Sequence, residues 1–203
     1  MIHVIGDSHA ESTFKGIPEV TTHHLGPLTM KRAAHEDDYF LAAGVAALAL
    51  GPGDVLIVSC GEADVRCFLK PEIDAKHAAP EDLILPLVDR YLSRVAALAA
   101  KGALLGVLSA IPPATYTNVV AFRQTMVYQF PPTGTDEERA HYTRIMNRRL
   151  REGCAARGLL YVDIYTEYAD DDGMMIYEQS DGMVHVGDTL QAREVLSCMG
   201  LLP

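Results

Sequence analysis

Cysteine is scarce in this chain, and its few copies are scattered. Cys60, Cys67, Cys154 and Cys198 form no Cys-x-x-Cys pair and no dense cluster, which excludes a zinc-ribbon site and a disulfide framework and leaves reduced, mostly buried thiols. Positive charge is short as well, with 17 Lys and Arg against 27 Asp and Glu and a net charge of −10. A nucleic-acid or anionic-membrane partner requires a basic footprint, so a neutral small molecule or carbohydrate is the expected partner. Long apolar runs are missing too. The longest, Leu41 to Leu50, is Ala-rich and about half the ~20 residues that a membrane span needs, so it reads as a core helix. A secretory leader would have to consume the first strand, so the expected location is the cytoplasm. No repeat, linker or low-complexity tract divides the 203 residues, and 49% hydrophobic content suits one domain over 1–203.

What is present is an alternation of apolar runs and helical segments. Ile2 to Ile5 reads as a first strand that stops on Gly6-Asp7-Ser8, with a short helix from Ser8 to Lys15. Val20 to Leu25 is a second strand, turned by Gly26-Pro27, and His35 to Asp38 offers cap residues before a helix over Tyr39 to Leu50 that Gly51-Pro52-Gly53 stops. Asp54 to Cys60 is almost continuously apolar, as a central strand covered on both faces should be, and it breaks into the charged turn Gly61-Glu62-Ala63-Asp64-Val65-Arg66. Helical spacing of Leu83, Leu87, Val88, Leu92, Val95 and Leu98 predicts a long helix over Glu81 to Lys101, before a strand at Leu104 to Ser109. The Pro-punctuated stretch 111–134, with Tyr116, Asn118, Phe122, Arg123, Tyr128 and Phe130, has the length of a lid or substrate loop. Thr135-Asp136-Glu137-Glu138 starts a capped helix that runs to Gly158, with Ile145, Leu150 and Cys154 facing in and arginines along its exposed side. Leu159 to Ile164 is a fifth strand, Tyr168 to Gly173 an acidic turn, and Thr189 to Met199 a closing helix. Strands alternating with helices imply an α/β chain, a three-layer α/β/α sandwich on a doubly wound parallel sheet of about five strands.

The candidate chemistry sits where strands end. A serine at a strand-to-helix turn on the carboxyl edge of such a sheet stands clear of the packed layers, beside backbone N–H groups that favour an oxyanion; taken alone, Asp7 or Ser8 is equally a helix cap. A serine hydroxyl becomes a nucleophile when a neutral imidazole takes its proton and a carboxylate fixes the ring's tautomer. Asp181 and His185 are close enough in sequence to share one loop beside that edge, although Asp181-Gly182 also reads as a plain turn. The other histidines make no metal site, since His23 and His24 on one strand point to opposite faces and no carboxylate or Cys spacing joins them to His3 and His9. Gly51-Pro52-Gly53 precedes a strand, so it is not a dinucleotide fingerprint. Neither a metal nor a cofactor is expected.

Gly6-Asp7-Ser8 after the first strand, Gly61-x-x-Asp64 after the third and an Asp–His pair near the end together resemble the SGNH, or GDSL, hydrolases, in an order that spans the chain. The block Gly61-Glu62-Ala63-Asp64-Val65-Arg66, with Leu25-Gly26-Pro27 and Ser180-Asp181-Gly182-x-x-His185, is similar to a bacterial subset with a Gly-Glu-x-Asp-x-Arg third block, often read as carbohydrate-associated. The resemblance implies the flavodoxin-like SGNH hydrolase fold and a serine esterase that removes a short acyl group, O-acetyl on a carbohydrate above all, through Ser8, Asp181 and His185. A non-hydrolytic glycan- or protein-binding module, or an acyltransferase using the same triad, are the alternatives. Two departures from the family pattern stand out. The family spaces its pair Asp-x-x-His, whereas three residues separate Asp181 from His185, with Asp188 and Asp163 in reserve. Its third block is Gly-x-Asn-Asp, and Ala63 stands in place of the oxyanion-binding asparagine. The N–H groups of Ser8 and Gly26 remain as donors. Arg66 either points into the cleft or neutralises Glu62 or Asp64, and Asn118 is a further candidate on the long loop.

Overall fold

Ile2, Val4 and Ile5 are all buried, on both faces of one strand, and only the middle of a layered structure allows that. This strand, β1 (Ile2–Gly6), lies between β2 (Val20–His24) and β3 (Val55–Ser59), and β4 (Leu104–Leu108) and β5 (Leu160–Val162) follow outward from β3. The order is β2-β1-β3-β4-β5, and every pairing is parallel. The computed structural model describes residues 1–35, 39–115 and 132–202. Two expectations therefore fall outside the described residues: the acidic cap at Glu36 to Asp38, and the lid reading of the long loop with Tyr116, Asn118, Phe122, Arg123, Tyr128 and Phe130.

Period-two alternation divides the sheet between two cores. On one face Ile5, Leu56, Val58 and Val107 pack against α2 (Met30–Ala33), α3 (Phe40–Ala46), α5 (Pro80–Ala96) and α6 (Asp136–Arg157). On the other, Ile2, Val4, Ile57, Leu108 and Val162 meet α1 (Ser8–Thr13), α7 (Tyr165–Tyr168) and α8 (Leu190–Cys198). The sandwich expected from the sequence is thus present, with five parallel strands between two helical layers. No described helix is long and apolar enough to cross a membrane.

Several boundaries shift. The long helix begins at Pro80 and ends at Ala96, short of Lys101 and Gly102, which both take positive φ and turn the chain into β4. The helix expected over Tyr39 to Leu50 is shorter, Phe40–Ala46. The charged stretch after β3 is not a turn: the chain is helical from Glu62, widens into a π-helix over Asp64–Leu69 and continues as α4 (Lys70–Lys76). The capped start at Thr135 is as expected, with Thr135 accepting from the Glu138 N–H and Glu138 from the Thr135 N–H. Arg139, by contrast, is buried under the α6 start, its guanidinium donating to the Gly134 and Ala114 carbonyls. Asn147 ties α6 to the end of β4, its amide both accepting from the Ala110 N–H and donating to the Ala110 carbonyl, each at 2.8 Å.

The winding places one junction. The chain leaves β1 toward the face of α1 and leaves β3 toward the opposite face, so a crevice opens between their carboxyl ends, the usual ligand position in open parallel sheets. Gly6 sits opposite Ser59 there, and a Cβ at position 6 would stand 2.1 Å from the Ser59 carbonyl oxygen. Only glycine allows that approach, and backbone cannot move aside as a side chain tip would. The Gly6→Ala variant is expected to lose about 3–5 kcal/mol of stability, a fall of about 10 °C in Tm by thermal unfolding; a variant within 2 °C of the parent would show that the junction yields.

Candidate active site

Ser8 opens α1 because Asp7 ends β1 as its cap: the Asp7 carboxylate accepts from the His9 N–H at 3.0 Å, and the backbone turns helical at Ser8. The serine hydroxyl is thereby held at the crevice. Facing it, Ser180–Gly187 forms a closed loop. Ser180 and Val186 bridge antiparallel, the Gly187 N–H donates to the Gln179 carbonyl, and a Cβ at Gly187 would lie 2.5 Å from the Ser180 oxygen. Within the loop Asp181 accepts from the N–H groups of Met183, at 2.8 Å, and His185, at 3.1 Å, while its second oxygen lies 2.9 Å from His185 Nδ1. His185 Nε2 is 3.0 Å from Ser8 Oγ. With a carboxylate at Nδ1, the neutral ring carries its proton there and Nε2 accepts from the serine hydroxyl.

The spacing of three residues between Asp181 and His185 is therefore no obstacle, since the Asp181 carboxylate folds the intervening loop around itself. The reserves serve elsewhere. Asp188 caps α8 by accepting from the Leu190 N–H, and Asp163 pairs with Arg151 and caps α7 at Thr166. Burial lowers the basicity of His185, the nearby His9 lowers it further, and Asp181 opposes both.

The charged residues after β3 face inward. Asp64 is 1% exposed and accepts from the N–H groups of Met30, at 2.6 Å, and Lys31, at 3.0 Å, so it anchors the start of α2 and does not line the cleft. Burial pushes its carboxyl up to about 7 against those two bonds. Glu62 is 3% exposed and is held from both sides, by His9 Nε2 at 2.8 Å and Arg66 Nε at 2.7 Å. Burial alone would raise its carboxyl, but the two cations outweigh it and hold Glu62 well below the usual carboxylate range. Of the alternatives left open for Arg66, the ion pair with Glu62 is present, and the residue also lines a cleft of about 220 Å³ together with Ser8, His9, Gly26 and Ala63. Gly26 takes φ +71 at that wall. Asn118 lies outside the described residues.

The residue that sequence reasoning passed over is His9. In the sequence it reads only as one of a set of histidines, yet the histidines separate: His3 lies 3.0 Å from His23, His24 is 3.8 Å from Glu11, and His9 belongs to Glu62. Among the described residues no three His, Cys, Asp or Glu side chains converge as a metal site. A signal was available in the sequence, a histidine directly after the serine and a glutamate directly after Gly61, both at the carboxyl edge.

No protein-family model matches the sequence, and no curated protein matches it either. Among solved structures, Est24, a carbohydrate acetylesterase from Sinorhizobium meliloti, superposes with a TM-score of 0.55 at 13% identity, covering 99% of both chains. A GDSL-like lipase from Bacteroides thetaiotaomicron gives 0.57 at 11% identity, over 97% of this chain and 83% of its own. The OSK domain of Drosophila Oskar gives 0.56 at 9% identity, over 98% of this chain and 86% of its own. At such identities the likeness is one of fold, and the fold is the one that GDSL-type hydrolases use.

Removing the Asp181 charge tests the local geometry without reference to any reaction. In Asp181→Asn, the His185 ring should titrate at a lower pH than in the parent, because the partner that favours its protonated form is gone. NMR titration of the ring Cε1 protons reads this, and an unchanged midpoint would mean that Asp181 and His185 are not coupled in solution.

Proposed function

We propose that the protein is a serine esterase that hydrolyses a short acyl ester, with O-acetyl groups on a carbohydrate as its substrate class. The observation that carries the reading is the unbroken chain from Ser8 Oγ through the His185 ring to Asp181, with steps of 3.0 and 2.9 Å, at the crevice between β1 and β3. A half-buried, neutral base, a hydroxyl within its reach and a carboxylate fixing its tautomer are what acyl transfer to serine requires. The cleft of about 220 Å³ beside Ser8 suits a small acyl group. An acidic surface, at −10 net charge, suits a neutral ester better than a polyanion, and the fold is shared with a carbohydrate acetylesterase.

In this mechanism Ser8 Oγ attacks the ester carbonyl as His185 Nε2 takes its proton, and Asp181 stabilises the imidazolium. The negative charge on the tetrahedral intermediate falls to the N–H groups of Ser8 and Gly26, with the positive field of Arg66 across the cleft wall. His185 then returns its proton to the departing sugar hydroxyl. In the second half it activates a water molecule, which releases the acid and restores the serine. Acyl transfer to a second sugar would use the same steps with a hydroxyl in place of water. A non-hydrolytic binding module is the reading favoured by one observation, the absence of any side-chain donor at Ala63; a missing oxyanion donor costs about 10²–10³ in turnover, which slows an esterase without abolishing it.

The kinetic test uses p-nitrophenyl acetate. Ser8→Ala and His185→Ala should each lower kcat by about 10³-fold or more while the circular dichroism spectrum and Tm stay near those of the parent. Unchanged turnover in folded Ser8→Ala would remove the proposed nucleophile.

A further inference from the structure

His9 takes no part in the proton path from Ser8 to Asp181, yet its ring lies against that path. The His9 and His185 ring centroids are 4.8 Å apart at an interplanar angle of 46°. His9 is 3% exposed and its Nε2 is fixed by Glu62 at 2.8 Å. Glu62 in turn has its other oxygen on Arg66, at 2.7 Å. Arg66 and His9 stand against the Glu62 and Asp7 carboxylates, and of these four groups it is the His9 ring that lies against the ring of the general base.

We propose that His9 is a positioning residue for the base: an imidazolium, held in place and in charge by Glu62, that packs on the His185 ring and favours the neutral form of that ring. The proposal rests on the reading of Ser8 and His185 as nucleophile and base, and it assigns a purpose to the Glu62 carboxylate, which the mechanism otherwise leaves unused.

The groups around both rings decide the sign. His185 meets Ser8 and His9 from α1, Asp181 from its own loop and Glu62 from the start of the helix after β3. Asp181 and Glu62 favour its protonated form, and burial and His9 oppose it. His9 meets Asp7, Glu62, Arg66 and His185. Burial disfavours its charge, but the Glu62 and Asp7 carboxylates prevail over burial and Arg66, so His9 stays protonated above the ordinary histidine range. Glu62, correspondingly, stays ionised. The two ends of the ion pair agree on the protonated state. His185 is then a base that remains free to accept a proton at a pH where the His185–Asp181 pair without His9 would begin to hold one.

Two measurements test this. In the 15N spectrum of the wild-type protein both ring nitrogens of His9 should be protonated from pH 6 to pH 8, and a neutral His9 at pH 7 would overturn the proposal without any variant. The second is His9→Gln, which keeps a hydrogen-bonding group for Glu62 and removes the charge. In that variant the His185 midpoint should rise by about one to two pH units, and the acid limb of kcat/KM for p-nitrophenyl acetate should move up by the same amount. An unshifted His185 midpoint in folded His9→Gln overturns it as well. A shifted midpoint in a protein that hydrolyses no ester would uphold the coupling and overturn the esterase reading, so the two failures are distinct.

Discussion

The parallel pairing of β1 with β3, with Gly6 opposite Ser59, is the constraint on which the site depends. Both strands end at the same level, and the chain departs from them to opposite faces of the sheet. Ser8 and His9 leave on one side and Glu62 to Arg66 on the other, so residues 53 apart in sequence meet across a gap one strand wide. The missing side chain at Gly6 lets the two ends close on each other. Asp181 and His185 are then added from a third direction by the loop at Ser180–Gly187, whose turn the Asp181 carboxylate holds.

Buried charge is the second organising element. A lone ion in this position would cost several kcal/mol of lost hydration, and three of the buried ions are answered: Glu62 by His9 and Arg66, Asp64 by two backbone N–H groups, Arg139 by Asp136 and the carbonyls of Gly134 and Ala114. Replacing such a set with apolar side chains of equal volume is often neutral for stability, so stability alone does not account for its presence beside Ser8, His185 and Asp181, whereas the proposed reaction does. The block of alternating charges after β3 divides its labour accordingly. Glu62 holds His9, Asp64 anchors α2, and Arg66 balances Glu62 while lining the cleft.

The layered architecture was legible in the chain because the strands are apolar runs and Gly, Pro and cap residues punctuate the helices. The capping box at Thr135 and Glu138 could be read residue by residue, and so could the serine at the end of β1. The short helices at Met30–Ala33, Lys70–Lys76 and Tyr165–Tyr168 were not. Two of them lean on distant partners, α2 on Asp64 from 34 residues on beside its own Thr29 cap and α7 on the Ser109 hydroxyl, while α4 only continues the π-helix. Gly61 to Arg66 looked like a turn for the same reason, since its charges are polar by local reckoning and buried only once His9 and the α2 amides arrive. The role of His9 is a tertiary fact of this kind, invisible to spacing and evident from one distance.

The central claim is that Ser8 is a nucleophile made reactive by His185. Labelling with a fluorophosphonate at neutral pH, followed by mass spectrometry of the digested protein, tests it directly because the probe reacts with an activated serine and needs no knowledge of the substrate. The account predicts one adduct, on the peptide that carries Ser8, and its disappearance in His185→Ala. A folded wild-type protein that takes up no probe at Ser8, or a His185→Ala variant labelled as fast as the parent, would contradict it.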